Sequence, residues 1–291
     1  MPAMSTTSQE FDLAKLGQWS DPAEFEVTRE RIVQYAEATN DDIAQHAAGE
    51  YAPPVFAIVP AFFALAGATA GVIPPDLVMR ILHGEQDFRF HRPIEPGMTL
   101  TTRAAPIGVH QRSSGVVVVA KGETVDGAGE PVVEQYMTTF VRGAETGESA
   151  GEPPPAHNFD EALRSRAPLA SVTQAFDADQ TYRYAEASGD PMPIHLDDDL
   201  AKSIGLPGII IHGLCTMAFT SRAVIETACP EDPRRLRRLA VRFAKVVQPS
   251  ETITTAIWRT GDVGEGHAYA FETTSDAGAV VIKDGLAEIA R

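Results

Sequence analysis

The chain of 291 residues has only two cysteines, Cys215 and Cys229, with no CxxC and no cysteine/histidine cluster at metal spacing. That excludes a disulfide scaffold and a structural zinc site, and it points to a reducing cytoplasm. Basic residues are also scarce, with 24 lysines and arginines against 40 acids and a net charge of −16. A surface that negative repels phosphate backbones and anionic lipid headgroups, so neither nucleic acid nor a membrane is an expected partner. The start, Met1 to Gln9, lacks the basic region and apolar stretch of a signal peptide. One long uncharged run exists, the 19 residues from Val55 to Ile73. Alanine, glycine and Pro60 dilute its hydrophobicity and no Lys/Arg cluster flanks it, so it predicts a buried helix rather than a membrane span. With no GxGxxG loop after a strand pattern, no dinucleotide site is indicated. What is present, 44% hydrophobic and 22% charged residues, suffices for one large core or two small ones.

The two halves of the chain match each other. Tyr35-Ala-Glu-Ala-Thr-Asn-Asp41 and Tyr184-Ala-Glu-Ala-Ser-Gly-Asp190 share five residues in seven at an offset of 184 − 35 = 149. The register persists: Arg89-Phe90 aligns with Arg242-Phe243 at 153, and Thr124 with Thr274 at 150. Two copies of one unit are implied, over 1–142 and 159–291. Between them, Gly143 to Asn158 is rich in Gly, Pro, Ser and Glu and reads as a linker.

The second copy shows the order of elements most clearly. Ser171 to Phe176 is extended, and Asp177 with Gln180 makes a capping-box-like start to a short helix through Ala187. Asp197 caps another, Asp198 to Ile204, ended by Gly205. Leu214, Met217, Ala218, Ser221 and Ile225 then recur at helical spacing through Thr227. Strand patterns follow over Leu239 to Val247, Thr252 to Thr260, His267 to Ser275 and Ala279 to Ile289, with a turn at Asp276 to Gly278. Helices first and an antiparallel meander after predict an α+β unit whose sheet wraps one long helix.

Two segments of this copy carry chemistry. In Ser188-Gly-Asp-Pro-Met-Pro-Ile-His195, two prolines and a glycine rigidly place Asp190 and His195 five residues apart, as acid/base work requires. Taken alone, such a pair is more often a cap and a surface hydrogen-bonder. In Gly208-Ile-Ile-Ile-His212-Gly213 an apolar run ends at His-Gly where the long helix starts, putting free N–H groups and the positive dipole end where an oxyanion could sit. The plain alternative is a tight junction in which glycine permits close packing.

With these residues in view, the second half resembles the MaoC-like hydratases, the group containing (R)-specific 2-enoyl-CoA hydratase (hydratase 2). Their pattern, Tyr/Phe, Ser/Thr, Gly-Asp-x-Asn-Pro-x-His and a later Ala, reads here as Tyr184, Ser188-Gly-Asp-Pro-Met-Pro-Ile-His195 and Ala201. Leu206 to Thr216 is similar to the segment entering the family's central helix. In the first half, Leu82-His-Gly-Glu-Gln86 and Phe88-Arg-Phe-His-Arg-Pro resemble the substrate-side half of the two-domain hydratases. The resemblance covers nearly the whole chain. It implies an α+β double hot-dog fold, two sheets each wrapped around a helix and packed together, with one active site per chain and a homodimer of such chains. It also implies reversible hydration of trans-2-enoyl-CoA to (3R)-3-hydroxyacyl-CoA, with the acyl-CoA as partner and no metal or other cofactor.

Under that resemblance Asp190 and His195 are the catalytic pair and Gly213 the oxyanion amide, while His212, Met192, His83 and Gly84 fall on the substrate side. His83, His91 and His212 read as structural hydrogen-bonders rather than catalysts. For the coenzyme A phosphates the expectation is Arg242 and Lys245 in one strand, and more weakly Arg89 and Arg92; strand alternation allows a merely solvated face instead. The run Arg234 to Arg238 reads as a solvated turn. The first half lacks the prolines and the His-Gly and is expected to have lost its site and to supply the acyl tunnel, the small residues of Phe62 to Val72 leaving room for a chain or serving helix packing. Met192 stands where the family has Asn and cannot make an amide's orienting bonds. That leaves open a dehydratase of carrier-bound or branched dicarboxylic acyl thioesters, a hot-dog thioesterase, and an acyl-CoA-binding paralogue.

Overall fold

A computed structural model describes residues 10–291. The first unit runs β1 (Ala23–Glu26), α1 (Arg29–Ala38), α2 (Ala44–Ala47), α3 (Phe62–Val72), β2 (Ile81–Phe90), β3 (Thr99–Arg112), β4 (Gly115–Val125) and β5 (Pro131–Arg142). A single two-residue strand, β6 (Ala150–Gly151), follows and pairs with β3. The second unit repeats the order as β7 (Ala170–Ala175), α4 (Gln180–Ser188), α5 (Asp198–Ser203), α6 (Gly213–Ala228), β8 (Leu236–Phe243), β9 (Thr252–Val263), β10 (Gly266–Ser275) and β11 (Val280–Ala290). Among the described residues, no helix is long and apolar enough to cross a membrane.

Strand order across the sheet is β1-β3-β4-β5-β2-β8-β11-β10-β9-β7, every pairing antiparallel. Substituting each strand by its repeat counterpart reverses this order onto itself, so the duplication is an internal two-fold. Its axis can be located: Asp87 pairs with Ala240, its own counterpart at 240 − 87 = 153. The two units that the resemblance implies are packed together through β2 and β8, which join their sheets edge to edge into one continuous sheet. Pairing satisfies two rows of N–H and C=O groups that separate edges would expose.

Helix α6 lies against the sheet with eleven of its 16 residues buried, from Leu214 to Ile225. Phe219, 1% exposed, tilts on Phe176 at 4.3 Å between centroids, and burying such a ring contributes about 2 kcal/mol. A hydroxyl ladder inside the apolar contact fixes the helix in register. Thr220 Oγ1 lies 3.1 Å from Thr273 Oγ1, which lies 2.9 Å from Thr255 Oγ1. Core contacts continue without a break from Phe56 and Tyr35 in one unit to Tyr184 and Phe219 in the other. Tyr35 and Tyr184, repeat counterparts, meet at the axis with hydroxyls 3.3 Å apart.

The uncharged run from Val55 to Ile73 is not one buried helix. It forms a 3-10 turn over Pro54–Ile58 and, after Pro60, the eleven-residue α3. Proline lacks the N–H that a continuous helix needs and clashes with the preceding turn. Of α3, only Leu65, Thr69 and Val72 are buried, while Phe63 is 71% exposed. The sheet covers one side of this helix, and a run of alanine and glycine carries no pattern to tell which.

Candidate active site

The loop after α4 is set by backbone chemistry. Gly189 ends the helix in the left-handed region, φ 75°, which turns the chain into Asp190 at no steric cost. Asp190 Oδ1 then accepts from Met192 N–H at 3.1 Å. A 3-10 turn, Pro193–His195, follows and delivers His195 into the interior, where its carbonyl accepts from Thr181 Oγ1. Asp197 caps α5 through Leu200 N–H, and Gly205 closes it, as the sequence indicates. The chain returns through Ile210 and Ile211 to His212, which heads α6.

These turns bring Asp190, His195 and His212 together, with one ligand-type atom of each within 4.8 Å of the others. His195 Nδ1 lies 2.8 Å from the Ile210 carbonyl, which can only accept, so the neutral ring is protonated there and Nε2 carries the lone pair. By the same argument His212 donates from Nε2 to the Asp190 carbonyl at 3.3 Å. Its Nδ1 is buried without a partner among the described residues. The two imidazoles stack at 3.7 Å and 22°. Nearly parallel ring planes do not meet near the rings, so their in-plane lone pairs are poorly placed to share one metal ion.

Burial pushes the Asp190 carboxyl above the usual range, opposed by the His195 charge and the Met192 N–H. It pushes His195 below the usual imidazole value, opposed by the Ile210 bond and by Asp190. His212 is driven down to about 2 by burial and its histidine neighbour, so it is a neutral hydrogen-bonder and ring support. The result is a half-buried carboxyl and a buried neutral histidine whose proton affinities are drawn toward each other, which suits proton exchange through one bound molecule.

Gly213 follows directly. As the first residue of α6 its N–H has no i−4 acceptor, and it sits at the positive end of the helix dipole. A Cβ there would lie 3.2 to 3.5 Å from the Phe243 ring, so glycine lets the two backbones close up. Phe243 in turn meets the His83 ring at 5.0 Å. His83, pushed down to about 4 by burial, hydrogen-bonds Gln86, and Gly84 occupies a bulge between β2 and β5 with Thr138 O at 3.2 Å from its would-be Cβ. Thus residues of the first unit reach Gly213 of the second through Phe243, which the sequence did not single out; its alignment with Phe90 beside the Arg-Phe motif is the signal that was available.

The phosphate assignments are corrected. Arg242 Nε binds Glu85 at 2.6 Å and its Nη1 binds Asp284 at 2.9 Å, so the guanidinium is engaged by carboxylates from two other strands. Lys245 lies beyond β8 on an exposed turn, not in the strand, because β8 ends at Phe243. Arg89 pairs with Glu134 and Arg92 with Asp126. Met192 is also reassessed: its side chain is 46% exposed, and the bond that orients Asp190 comes from its main chain, which any residue but proline supplies.

Residues 160–279 match the MaoC-like domain family and residues 45–143 the MFE-2 hydratase 2 N-terminal domain family. A probable enoyl-CoA hydratase 2 of Dictyostelium discoideum is 32% identical over 213 residues, covering 72% of this chain and 70% of that protein. The crystal structure of a MaoC-like dehydratase from Phytophthora capsici superposes with a TM-score of 0.80 at 28% identity, over 93% of this chain and 94% of that one. A double-hotdog protein of Mycobacterium tuberculosis shares the architecture, with a TM-score of 0.63 at 13% identity over 94% and 95% of the two chains. Sequence and architecture agree that this chain belongs to the MaoC-like hydratase family, as a hydro-lyase with a double hot-dog fold.

Proposed function

We propose that the protein reversibly hydrates trans-2-enoyl-CoA to (3R)-3-hydroxyacyl-CoA with Asp190, His195 and the Gly213 N–H. The observation that carries this reading is the pair of half-buried Asp190 and buried His195 set beside the first amide of α6. Hydration of the conjugated thioester needs a water oriented at C3, a proton for C2 and a donor for the thioester oxygen. Asp190 and His195 hold the water between them; the pair takes one proton from it as the oxygen bonds to C3 and passes that same proton on to C2, so the pair ends in the protonation state in which it began. The Gly213 N–H stabilises the enolate-like oxygen that forms between these events. His83, whose ring meets Phe243, borders the acyl side with its neighbour Gly84. The relative's name, enoyl-CoA hydratase 2, supports the substrate class, and the resemblance supports the 3R product.

The test follows the loss of conjugated enoyl-thioester absorbance with short, long and steroid-side-chain trans-2-enoyl-CoAs, with chiral analysis of the product. Turnover giving the 3R alcohol is expected. Absence of turnover with all three classes, or a 3S product, rejects the reading.

The pair's proton affinities also set a pH profile. The working form has Asp190 ionised and His195 neutral, which requires a pH above both pKa values of the coupled pair. Asp190 is raised from about 3.9 and His195 lowered from about 6.5. kcat/KM is therefore expected to be flat near neutrality and to fall on an acid limb between about pH 4 and 6.5. An acid limb centred above pH 7 would contradict the assignment.

A further inference from the structure

The linker from Gly143 to Asn158 is largely exposed, yet His157 near its end is buried against the sheet. Its ring bridges two strands: Nδ1 lies 2.7 Å from the Asp284 carbonyl of β11, and Nε2 lies 3.4 Å from Glu85 Oε2 of β2. β8 runs between these strands, and its Arg242 binds the same two residues, Glu85 at 2.6 Å and Asp284 at 2.9 Å. Asp284 Oδ1 also accepts from the Phe159 N–H at 3.2 Å, which fastens the linker on both sides of Asn158.

Both outer strands are irregular where they are fastened. β2 bulges between His83 and Glu85, and β11 slips register between Lys283 and Leu286, with Asp284 at φ 53°. Successive residues of a strand face opposite ways, so the cluster around Arg242 lies behind Phe243, whose ring meets Gly213 and His83 on the other face. The two-fold does not reproduce it. Arg89 and Glu134, the counterparts of Arg242 and Asp284 at 242 − 89 = 153 and 284 − 134 = 150, pair at 3.1 Å. No histidine joins them among the described residues.

The partners fix the charge of the ring. A carbonyl oxygen and an ionised carboxylate only accept, so both ring nitrogens donate, which is the imidazolium form. Burial opposes that charge, but Glu85, the Asp284 carbonyl and the Asp87 charge outweigh it and raise His157 above the ordinary imidazole value. Burial also opposes the Glu85 carboxylate, which His157 and Arg242 nevertheless hold below the usual range. The remaining charges on these strands, Asp87, Arg238 and Glu288, are bonded to one another.

We propose that His157 is a positioning residue: as an imidazolium it straps β2 to β11 behind Phe243 and holds the His83–Gly84 bulge where the acyl-CoA lies. This role rests on the reading that His83 and Gly84 border the acyl side. When the ring loses its proton, the nitrogen facing Glu85 becomes an acceptor, the bond to β2 is lost and the bulge is released. Affinity for acyl-CoA therefore falls as pH rises through the His157 pKa. Stability has the same sign: the strap contributes fully below the unfolded value of about 6.5 and is lost as pH passes the raised folded value.

Proton NMR titration of the histidine Hε1 signals of the full chain gives that pKa, with His157 assigned by its missing signal in His157→Gln. Calorimetry with a saturated acyl-CoA, which cannot be hydrated, reads affinity over the same pH range. The expected result is a midpoint above about 6.5 and a Kd that rises at least about fivefold through it. His157→Gln should bind weakly at every pH, and Glu85→Gln should move the midpoint and the affinity loss together to lower pH. A midpoint at or below about 6.5, or a Kd indifferent to the midpoint, overturns the proposal. So does a His157→Gln protein with fewer binding sites at unchanged Kd, the signature of a role in folding alone. Because the ligand is unreactive, failure of the hydration reading shows separately, as absent turnover of enoyl-CoA.

Discussion

Asp190→Asn and His195→Ala are each expected to lower kcat/KM for enoyl-CoA hydration by about 10²- to 10⁴-fold, the range for removing a positioned acid or base. The double variant should fall little further than the worse single one, because the two groups act on one water and one proton inventory. Stability should move the other way for Asp190→Asn. Burial raises this carboxyl's folded-state pKa above its unfolded value, so the carboxylate costs folding free energy at neutral pH. The cost is full above the folded pKa and vanishes as pH falls through it to the unfolded value of about 3.9. The asparagine variant is therefore expected to melt no lower than wild type at pH 7, with any gain shrinking toward pH 4. Thermal melts at the two pH values, read beside the absorbance assay, check both halves. A variant retaining more than about a tenth of wild-type activity would remove that residue from the proposed chemistry.

How much of this was legible beforehand depends on whether the determining contacts are local. Gly189, Asp197 and Gly205 act within a few residues of themselves, so the turns that bring Asp190 to His195 could be read from spacing alone. The repeat of Tyr35 to Asp41 at Tyr184 to Asp190 carried the two-fold, and with it the ten-strand palindrome, though not which strands meet at the axis. The fate of Arg242 could not be read, because Glu85 lies 157 residues away and reaches it only through the β2–β8 seam. Asp41 and His46 repeat the five-residue spacing of Asp190 and His195, yet the missing prolines drew attention from a pair that the fold keeps buried and bonded. The break at Pro60 was written in the sequence, but composition outweighed it in a run of small apolar residues.

The seam itself makes the second large prediction, a loss of about 3 kcal/mol of stability in Asp87→Ala. Asp87, on the two-fold axis and 2% exposed, receives Arg238 through Nε at 3.1 Å and Nη2 at 2.7 Å. The Arg238 side chain is itself only 15% exposed and is shared with Glu288 at 3.3 Å. Removing the aspartate strands a buried guanidinium, which usually costs about 3–5 kcal/mol; the Glu288 contact places this case at the low end. Replacing both partners, as Asp87→Ala with Arg238→Met, removes the stranded charge and should recover much of the loss. Urea unfolding of the two single variants and the double one closes a double-mutant cycle. A coupling below about 0.5 kcal/mol, as for independent sites, would show that backbone pairing holds the seam without the ion pair. Activity ties the seam to the site, since β2 carries His83 and β8 carries Phe243, which together border Gly213. Asp87→Ala should therefore lower kcat/KM even where the protein remains folded, and the double variant should restore it in step with stability.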